Sequence, residues 1–280
     1  MGNRGRESAS PVIKWVGGKS RLLGQITLLL PDDVSNRRYF EPFLGSGAMF
    51  FKVSPEVAIL SDINGSLINM YKAIRDDVSE VISYLKILES NHNEETYYLR
   101  RKMYNFERSI TGAARAALFI YLNKTCFNGL YRENMKGEYN SPIGKQSKLS
   151  LPTLEALKVA SKALSGKIAL VRCRFEYVLK VAKQGDFLYF DPPYDPVSET
   201  SNFTSYTKYK FDRREQAKLK VLFDKLNKRG CLLMLSNSDT DFVNLLYSGY
   251  AKKRISARRS VNSDINKRSE VSELVITNYQ

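Results

Sequence analysis

The run Asp191-Pro192-Pro193-Tyr194 directly follows the apolar segment Phe187 to Phe190. That order puts a carboxylate at the carboxyl edge of a sheet, where α/β proteins bind their ligands. Two consecutive prolines cannot donate ladder hydrogen bonds and their rings fix the backbone, so the strand must stop, leaving the Asp191 carboxylate and the Pro192 carbonyl as two rigid acceptors. Such a pair suits an amine with two protons. Accepting both N–H bonds of a conjugated exocyclic amine favours a pyramidal nitrogen and frees its lone pair, while the Tyr194 ring stacks on the attached base. The pattern reads as a pocket for the amine of a purine or a cytosine.

A second constellation precedes it. Tyr39 to Leu44, then Gly45-Ser46-Gly47, then Ala48 to Phe51 reads as strand, tight turn and helix start, and a second strand, Val57 to Leu60, ends in Ser61-Asp62, 17 residues beyond Gly45. A turn of this kind offers backbone N–H groups and a positive helix end to a carboxylate or phosphate, and Asp62 offers acceptors to ribose hydroxyls; a nucleoside cofactor fits both. The dinucleotide fingerprint fails because Phe50 holds the position of its third glycine, which disfavours NAD, and Gly17-Gly18-Lys19-Ser20 fails as an ATPase loop because Ile13 stands where a glycine is required. The same stretch supplies Lys14, Trp15 and Lys19, with the indole of Trp15 available to a purine or a sulfonium.

The elements that must position these residues alternate in type. The strand runs at 39–44 and 57–60 are followed by helical periodicity from about 65 to 125, then by the turn-rich aromatic stretch 126–145, which reads as a hairpin or ordered loop. A helix at 153–164 leads to strands at 168–172, 187–190 and 231–235, with an amphipathic helix at 213–227. A basic, Ser- and Asn-rich loop at 252–268 precedes a closing strand at 274–277. The 44 Lys and Arg against 29 Asp and Glu give a net charge of +15, with surpluses in residues 1–30, 97–149 and 251–268. Such a field attracts polyanions, nucleic acid first and a membrane surface second. No apolar stretch approaches the length of a membrane span. The cysteines Cys126, Cys173 and Cys231 are far apart and the only histidine, His92, lies in a polar run, which argues against zinc, a disulfide framework and histidine catalysis, and predicts an exposed loop or helix-end His92. The N-terminus lacks the apolar core of a signal peptide, so a cytoplasmic protein is expected.

In order along the chain, Lys14-Trp15-Val16-Gly17-Gly18-Lys19, Glu41-Pro42-Phe43-Leu44-Gly45-Ser46-Gly47, Asp62-Ile63-Asn64, the segment Asn123 to Gly144 and Asp191-Pro192-Pro193-Tyr194 closely resemble the DNA adenine methyltransferase (Dam) family. The resemblance covers most of the chain. It implies a Rossmann-like, mostly parallel sheet of seven strands in a catalytic domain made of residues 1–64 and 153–280, with an inserted, mostly helical target-recognition domain at 65–152 and its DNA-reading hairpin or loop at 123–145. It implies S-adenosyl-methionine as cofactor, held by Trp15, Lys19, Phe43, Gly45, Gly47, Asp62 and Asp191, and methyl transfer to adenine N6 in a catalytic pocket made by Asp191, Pro192 and Tyr194. Asn202-Phe203-Thr204-Ser205-Tyr206 resembles the family's loop that closes over the extruded base.

Close members read GATC in double-stranded DNA. The matching positions imply Lys14 and Arg132 on guanines, Leu130 and Pro142 near a thymine methyl, and Phe127 and Asn128 in the gap left by extrusion. These side chains fit those partners chemically. Phe127 stands where close relatives carry tyrosine, and the segment 252–268 adds candidate phosphate contacts. No metal is implied; a monomer of bacterial or phage origin is the expectation, with assembly on DNA left open. Two other readings compete: amine methylation of cytosine N4 or an RNA base, and a catalytically inactive protein that only occupies its DNA site.

Overall fold

The computed structural model describes residues 9–145, 149–196, 211–257 and 271–280. Its strands are β1 (Tyr39–Glu41), β2 (Val57–Asp62), β3 (Lys167–Arg172), β4 (Phe187–Phe190), β5 (Leu232–Ser238), β6 (Ala251–Ala257) and β7 (Val271–Thr277). They form one seven-stranded sheet in the order β3-β2-β1-β4-β5-β7-β6. All neighbours are parallel except β7, which runs antiparallel to both β5 and β6. The chain leaves β1 in one direction to β2 and β3 and later returns to β4 on its other side, so the crevice between the tips of β1 and β4 is a topological switch point, the place where such sheets bind ligands.

Strand periodicity divides the core in two. Successive side chains point to opposite faces, so Tyr39, Phe187, Tyr189 and Met234 join one buried cluster while Phe40, Leu188, Phe190, Leu233 and Leu235 join the other. The first cluster continues into a helical layer. After α1 (Leu23–Thr27) and α2 (Ala48–Val53) come α3 (Gly65–Asp76), α4 (Val78–Ser90), α5 (Glu94–Phe106), α6 (Gly112–Thr125) and α7 (Leu154–Leu164). Among these, α6 is buried around nearly its whole circumference, from Ala116 to Leu122, because α3, α4 and α5 surround it. The second face is covered by α8 (Val178–Val181), α9 (Arg213–Lys228) and α10 (Asp241–Leu246). Leu219, Leu222, Phe223 and Leu226 form the inner stripe of α9; truncating Phe223 to Ala would cost about 3–5 kcal/mol.

The structure shortens or moves several elements. Pro42 stops the first strand at Glu41 instead of Leu44, because it cannot supply a ladder N–H. The start of the expected basic loop is a strand: Lys252, Lys253 and Arg254 lie on the edge strand β6, paired with β7, and edge strands commonly carry such charges. Residues 258–268 of that segment lie outside the described residues. His92 is half-buried rather than exposed, with Nδ1 2.8 Å from the Tyr121 hydroxyl. Among the described residues, no helix is long and apolar enough to cross a membrane, and no group of three or more His, Cys, Asp or Glu side chains is placed to hold a metal ion.

Candidate active site

At the switch point lies a cavity of about 380 Å³ lined from the tips of β1, β2, β3 and β4 and from the segment Trp15 to Lys19. The β4 strand delivers Asp191, and the two prolines turn the chain away so that its carboxylate faces the cavity. Burial pushes this carboxyl up to about 6, with the Lys19 ammonium pulling against it. Lys19 Nζ stands 2.8 Å from Asp191 Oδ1 and 4.5 Å from the centre of the Tyr194 ring, and donates to the Gly17 carbonyl at 2.5 Å. Beyond this ion-pair contact, Asp191 Oδ1 is shut off from solvent and has no hydrogen-bond partner among the described residues. The Lys19 ammonium occupies one acceptor site of this buried oxygen, and its second lone pair remains available to a ligand donor.

The Pro-Pro segment is braced from behind. The fully buried Gln216 donates to the Pro193 carbonyl at 2.8 Å and accepts from Asn237 at 3.1 Å, and Asn237 accepts from the Asp195 N–H at 3.3 Å. Asp195, itself buried, takes both branches of the Arg213 guanidinium at 2.9 and 3.2 Å. Tyr194 donates to Glu273 at 2.6 Å. Burial and the nearby charges of Asp191 and Glu273 hold its phenol well above the ordinary value, so it remains a donor.

The glycine turn serves differently from the expectation. Its N–H groups do not wait for an anion: Gly45 N donates to Asp62 at 3.2 Å and Gly47 N closes the turn on Leu44 O at 2.7 Å. The helix that follows has six residues, too few for a strong end dipole. Gly45 is required for closeness: at φ +49°, a Cβ there would stand 2.8 Å from Trp15 Cδ1. Gly47 does not line the cavity; it packs behind the turn against Leu44 and Phe51. Asp62 accepts from the Asn64 N–H at 2.8 Å as well as from Gly45, and each oxygen retains a lone pair for a further donor. Burial pushes Asp62 up to about 6, against those backbone donors. Asn64 in turn caps α3, accepting from Ser66 and Leu67. The tripeptide Asp62-Ile63-Asn64 thus ties the turn, the cavity wall and a helix start together.

Trp15, Lys19, Phe43, Gly45, Asp62, Asp191, Pro192 and Tyr194 all line this one cavity. Lys14, Phe127, Asn128, Leu130, Arg132 and Pro142 lie apart from it, on or beside the loop that follows α6. Isolated bridges Cys126 to Ile143 and Glu133 to Tyr139 pinch that loop without forming a continuous hairpin ladder. Helix α5 supports it: Tyr97 and Arg101 donate to the Ser141 carbonyl at 2.9 and 3.0 Å, and Asn105 exchanges hydrogen bonds with the Tyr139 backbone at 2.8 and 3.0 Å. At its base, beside the Cys126 to Ile143 bridge, Phe127 is 50% exposed next to Asn128, which adopts a left-handed φ of +57°. Arg132 is exposed, oriented by Asn140 through Nε at 2.8 Å and Nη2 at 3.2 Å. Pro142 is exposed and its carbonyl accepts from Phe127 N. Leu130 is half-buried. Lys14 reaches the loop by its backbone, which the buried Asn123 side chain grips at both N–H and carbonyl, at 3.0 and 2.9 Å, while its stem lies across Gly129. The stretch 202–206 lies outside the described residues.

Sequence reasoning assigned no role to four neighbours of the cavity or its walls. Glu41, buried under the cavity and bonded to Tyr39 at 2.7 Å, is pushed by burial up to about 8. Phe175 stacks on Phe43 with ring centres 5.5 Å apart; its place just past β3, on the carboxyl edge, was the available signal. Tyr131 lies between Leu130 and Arg132 in the loop yet lines the cavity and stacks on Trp15 at 5.2 Å. Glu273 had no sequence signal, because only the antiparallel course of β7 brings it to this edge.

The strand order, the antiparallel β7 and the cavity between β1 and β4 define a Rossmann-like fold of the methyltransferase type. Residues 15–261 match the model of the D12 class N6 adenine-specific DNA methyltransferase family. The chain is 40% identical over 286 residues to the type II methyltransferase M.MjaIII of Methanocaldococcus jannaschii, covering 96% of this chain and 99% of that one. It is 37% identical to the type II methyltransferase M1.LlaDCHI of Lactococcus lactis subsp. cremoris, over 96% and 95% of the two chains. To the DNA adenine methylase of Haemophilus influenzae it is 34% identical, over 95% and 92%. The chain belongs to the D12 class of N6 adenine-specific DNA methyltransferases.

Proposed function

We propose that the protein transfers a methyl group from S-adenosyl-methionine to N6 of an adenine turned out of duplex DNA, with GATC as its target, and that it acts as a monomer in the cytoplasm. The observation that carries this reading is the buried Asp191 Oδ1, ion-paired with Lys19, beside the Tyr194 ring, an acceptor and a stacking face in one cavity. The Pro192 carbonyl supplies the second acceptor for the N6 protons. Both accept from the amine and turn its lone pair outward, while Tyr194 stacks on the ring. Asp191 acts as an acceptor in its ionised form, which prevails above about pH 6.

The cavity residues suit a nucleoside sulfonium. Bound there, S-adenosyl-methionine supplies an electrophilic methyl group. Trp15 and Phe43 would hold its apolar faces, Asp62 its hydroxyl groups, and the closeness of Gly45 to Trp15 keeps the wall thin at that point. Lys19, paired with Asp191 in the structure, keeps that carboxylate ionised until the amine arrives.

The helical segment 65–152 acts as the target-recognition unit. Arg132, pre-oriented by Asn140, and Lys14, fixed by Asn123, read guanines; Leu130 and Pro142 meet the thymine methyl, and Phe127 and Asn128 fill the vacated stack. The test is transfer of tritiated methyl to duplexes with and without GATC. Label in adenine of GATC is expected; label only in cytosine or RNA would overturn the adenine assignment, and binding without label would identify a site-occupying protein.

A further inference from the structure

Glu273 belongs to no run of the sequence that suggests chemistry, yet it touches the residue that faces the target base. Two features of the fold bring it there. Strand β7 runs antiparallel to β5, so its early residues arrive at the edge where β4 and β5 end, and the register sets Glu273 opposite Ser238. From that position Glu273 Oε2 accepts the Tyr194 hydroxyl at 2.6 Å, the short distance expected when a carboxylate is the acceptor.

The Lys19 ammonium also bears on Tyr194. Lys19 Nζ lies 4.5 Å from its ring centre, and the same ammonium contacts Asp191. With its hydroxyl free, the far end of the ring could swing about the Cα–Cβ bond within its rotamer well. The hydroxyl oxygen lies on the ring's long axis, so anchoring it holds that axis and the far end of the ring in place. A base stacked on a ring held in that position is then presented to Asp191 at a set place, and misplacement of a reacting group is costly in rate.

We infer that Glu273 is a positioning residue for methyl transfer: it holds the far end of the Tyr194 ring, and through it the position in which the target amine meets Asp191. This rests on the reading of Asp191 and Tyr194 as the amine pocket. Its distinctive consequence is that the positioning effect of Glu273 runs through the Tyr194 hydroxyl.

The experiment is a double-mutant cycle on the full chain with Glu273→Ala and Tyr194→Phe, each measured for kcat and KM on a GATC duplex, for affinity toward S-adenosyl-homocysteine, and for Tm. Each single variant is expected to lose about tenfold in kcat, with KM and S-adenosyl-homocysteine affinity changed less than about threefold. The double variant should lose no more than either single one. Glu273→Gln, which keeps an acceptor, should recover at least half of the lost rate. A Glu273→Ala variant with kcat within twofold of the parent overturns the proposal, as does a loss that persists at full size in the Tyr194→Phe background. A fall confined to S-adenosyl-homocysteine affinity or Tm assigns Glu273 a structural role instead and equally overturns it. The parent rate separates the two levels: a parent that labels adenine while Glu273→Ala is unaffected overturns this inference alone, whereas a parent that labels no adenine overturns the amine-pocket reading beneath it.

Discussion

The cavity at the sheet edge and the loop after α6 are built to opposite rules. In the cavity the chemistry-bearing groups are buried and over-determined: Asp191 by two prolines and Lys19, Pro193 by the Gln216–Asn237 pair, and Tyr194 by Glu273. In the loop the candidate base-reading groups Arg132, Lys14 and Phe127 are exposed and lightly held: Arg132 at one edge of its guanidinium by Asn140, and Lys14 and Phe127 through their backbones. The difference teaches where each kind of selectivity is stored. A pocket that sees one base needs fixed acceptors, whereas a surface that reads several base pairs needs donors free to meet the groove. The regions meet at the stack of Tyr131 on Trp15.

Breaking the cavity side gives the largest effect. Asp191→Ala is expected to lower the initial rate by a hundredfold or more, the order of 3 kcal/mol, while affinity for a GATC duplex stays within about threefold. Rate and filter-binding measurements on one preparation check this; retention of more than about a tenth of the rate would contradict a positioned acceptor. The comparison sharpens at the point of contact. Tyr131→Ala should weaken S-adenosyl-homocysteine binding and duplex binding together, each by about three- to tenfold, because one aromatic contact serves both walls. If only one affinity changes, the stack carries no coupling.

Protonation distinguishes the carboxyls. With Asp191 raised to about 6, kcat/KM should fall as pH drops through that value and level off above it, because only the ionised form accepts from the amine. Glu41 concerns stability. Its folded value of about 8 exceeds the ordinary 4.5, so the stability it contributes is fully present below pH 4.5 and is lost as pH rises through about 8. Glu41→Gln does not ionise, so its Tm should match the parent near pH 4.5 and exceed it by about 5 °C or more at pH 9. A gap that does not widen with pH would contradict the buried ionisation. The smallest effect is expected on β6, where Arg254 is already paired with Asp239 at 2.7 Å and Lys252 donates to the Asn244 carbonyl at 3.0 Å. Replacing Lys252, Lys253 and Arg254 by Ala should reduce the salt slope of duplex binding by about one counterion or less; a loss near three would place the whole strand on phosphate.

The cavity was largely legible in the sequence because its parts follow backbone rules. A strand stopped by two prolines, a glycine turn and an acidic strand tip each announce their position, and all but Gly47 of the residues so marked line the same space. What could not be read was anything supplied by a distant strand or by a side chain's course. Glu273 depends on the direction of β7, Tyr131 on how the loop folds back over Trp15, and Glu41 on burial that gives a carboxyl its altered protonation. The turn was misread for a related reason: sequence shows that Gly45 and Gly47 allow a tight bend, but not that Asp62 and Leu44 take up their N–H groups.

The division of labour between cavity and loop is tested most directly by transfer rates on a GATC duplex and on duplexes altered at each outer base pair, for the parent and for Arg132→Ala. An arginine paired with guanine contributes about 1–3 kcal/mol of discrimination. Arg132→Ala should therefore lose about tenfold to a hundredfold on GATC and much less on the duplex altered at its guanine, so that the ratio between the two collapses. A uniform loss across all the duplexes would contradict the account, making Arg132 a phosphate contact and leaving the reading of sequence to other residues.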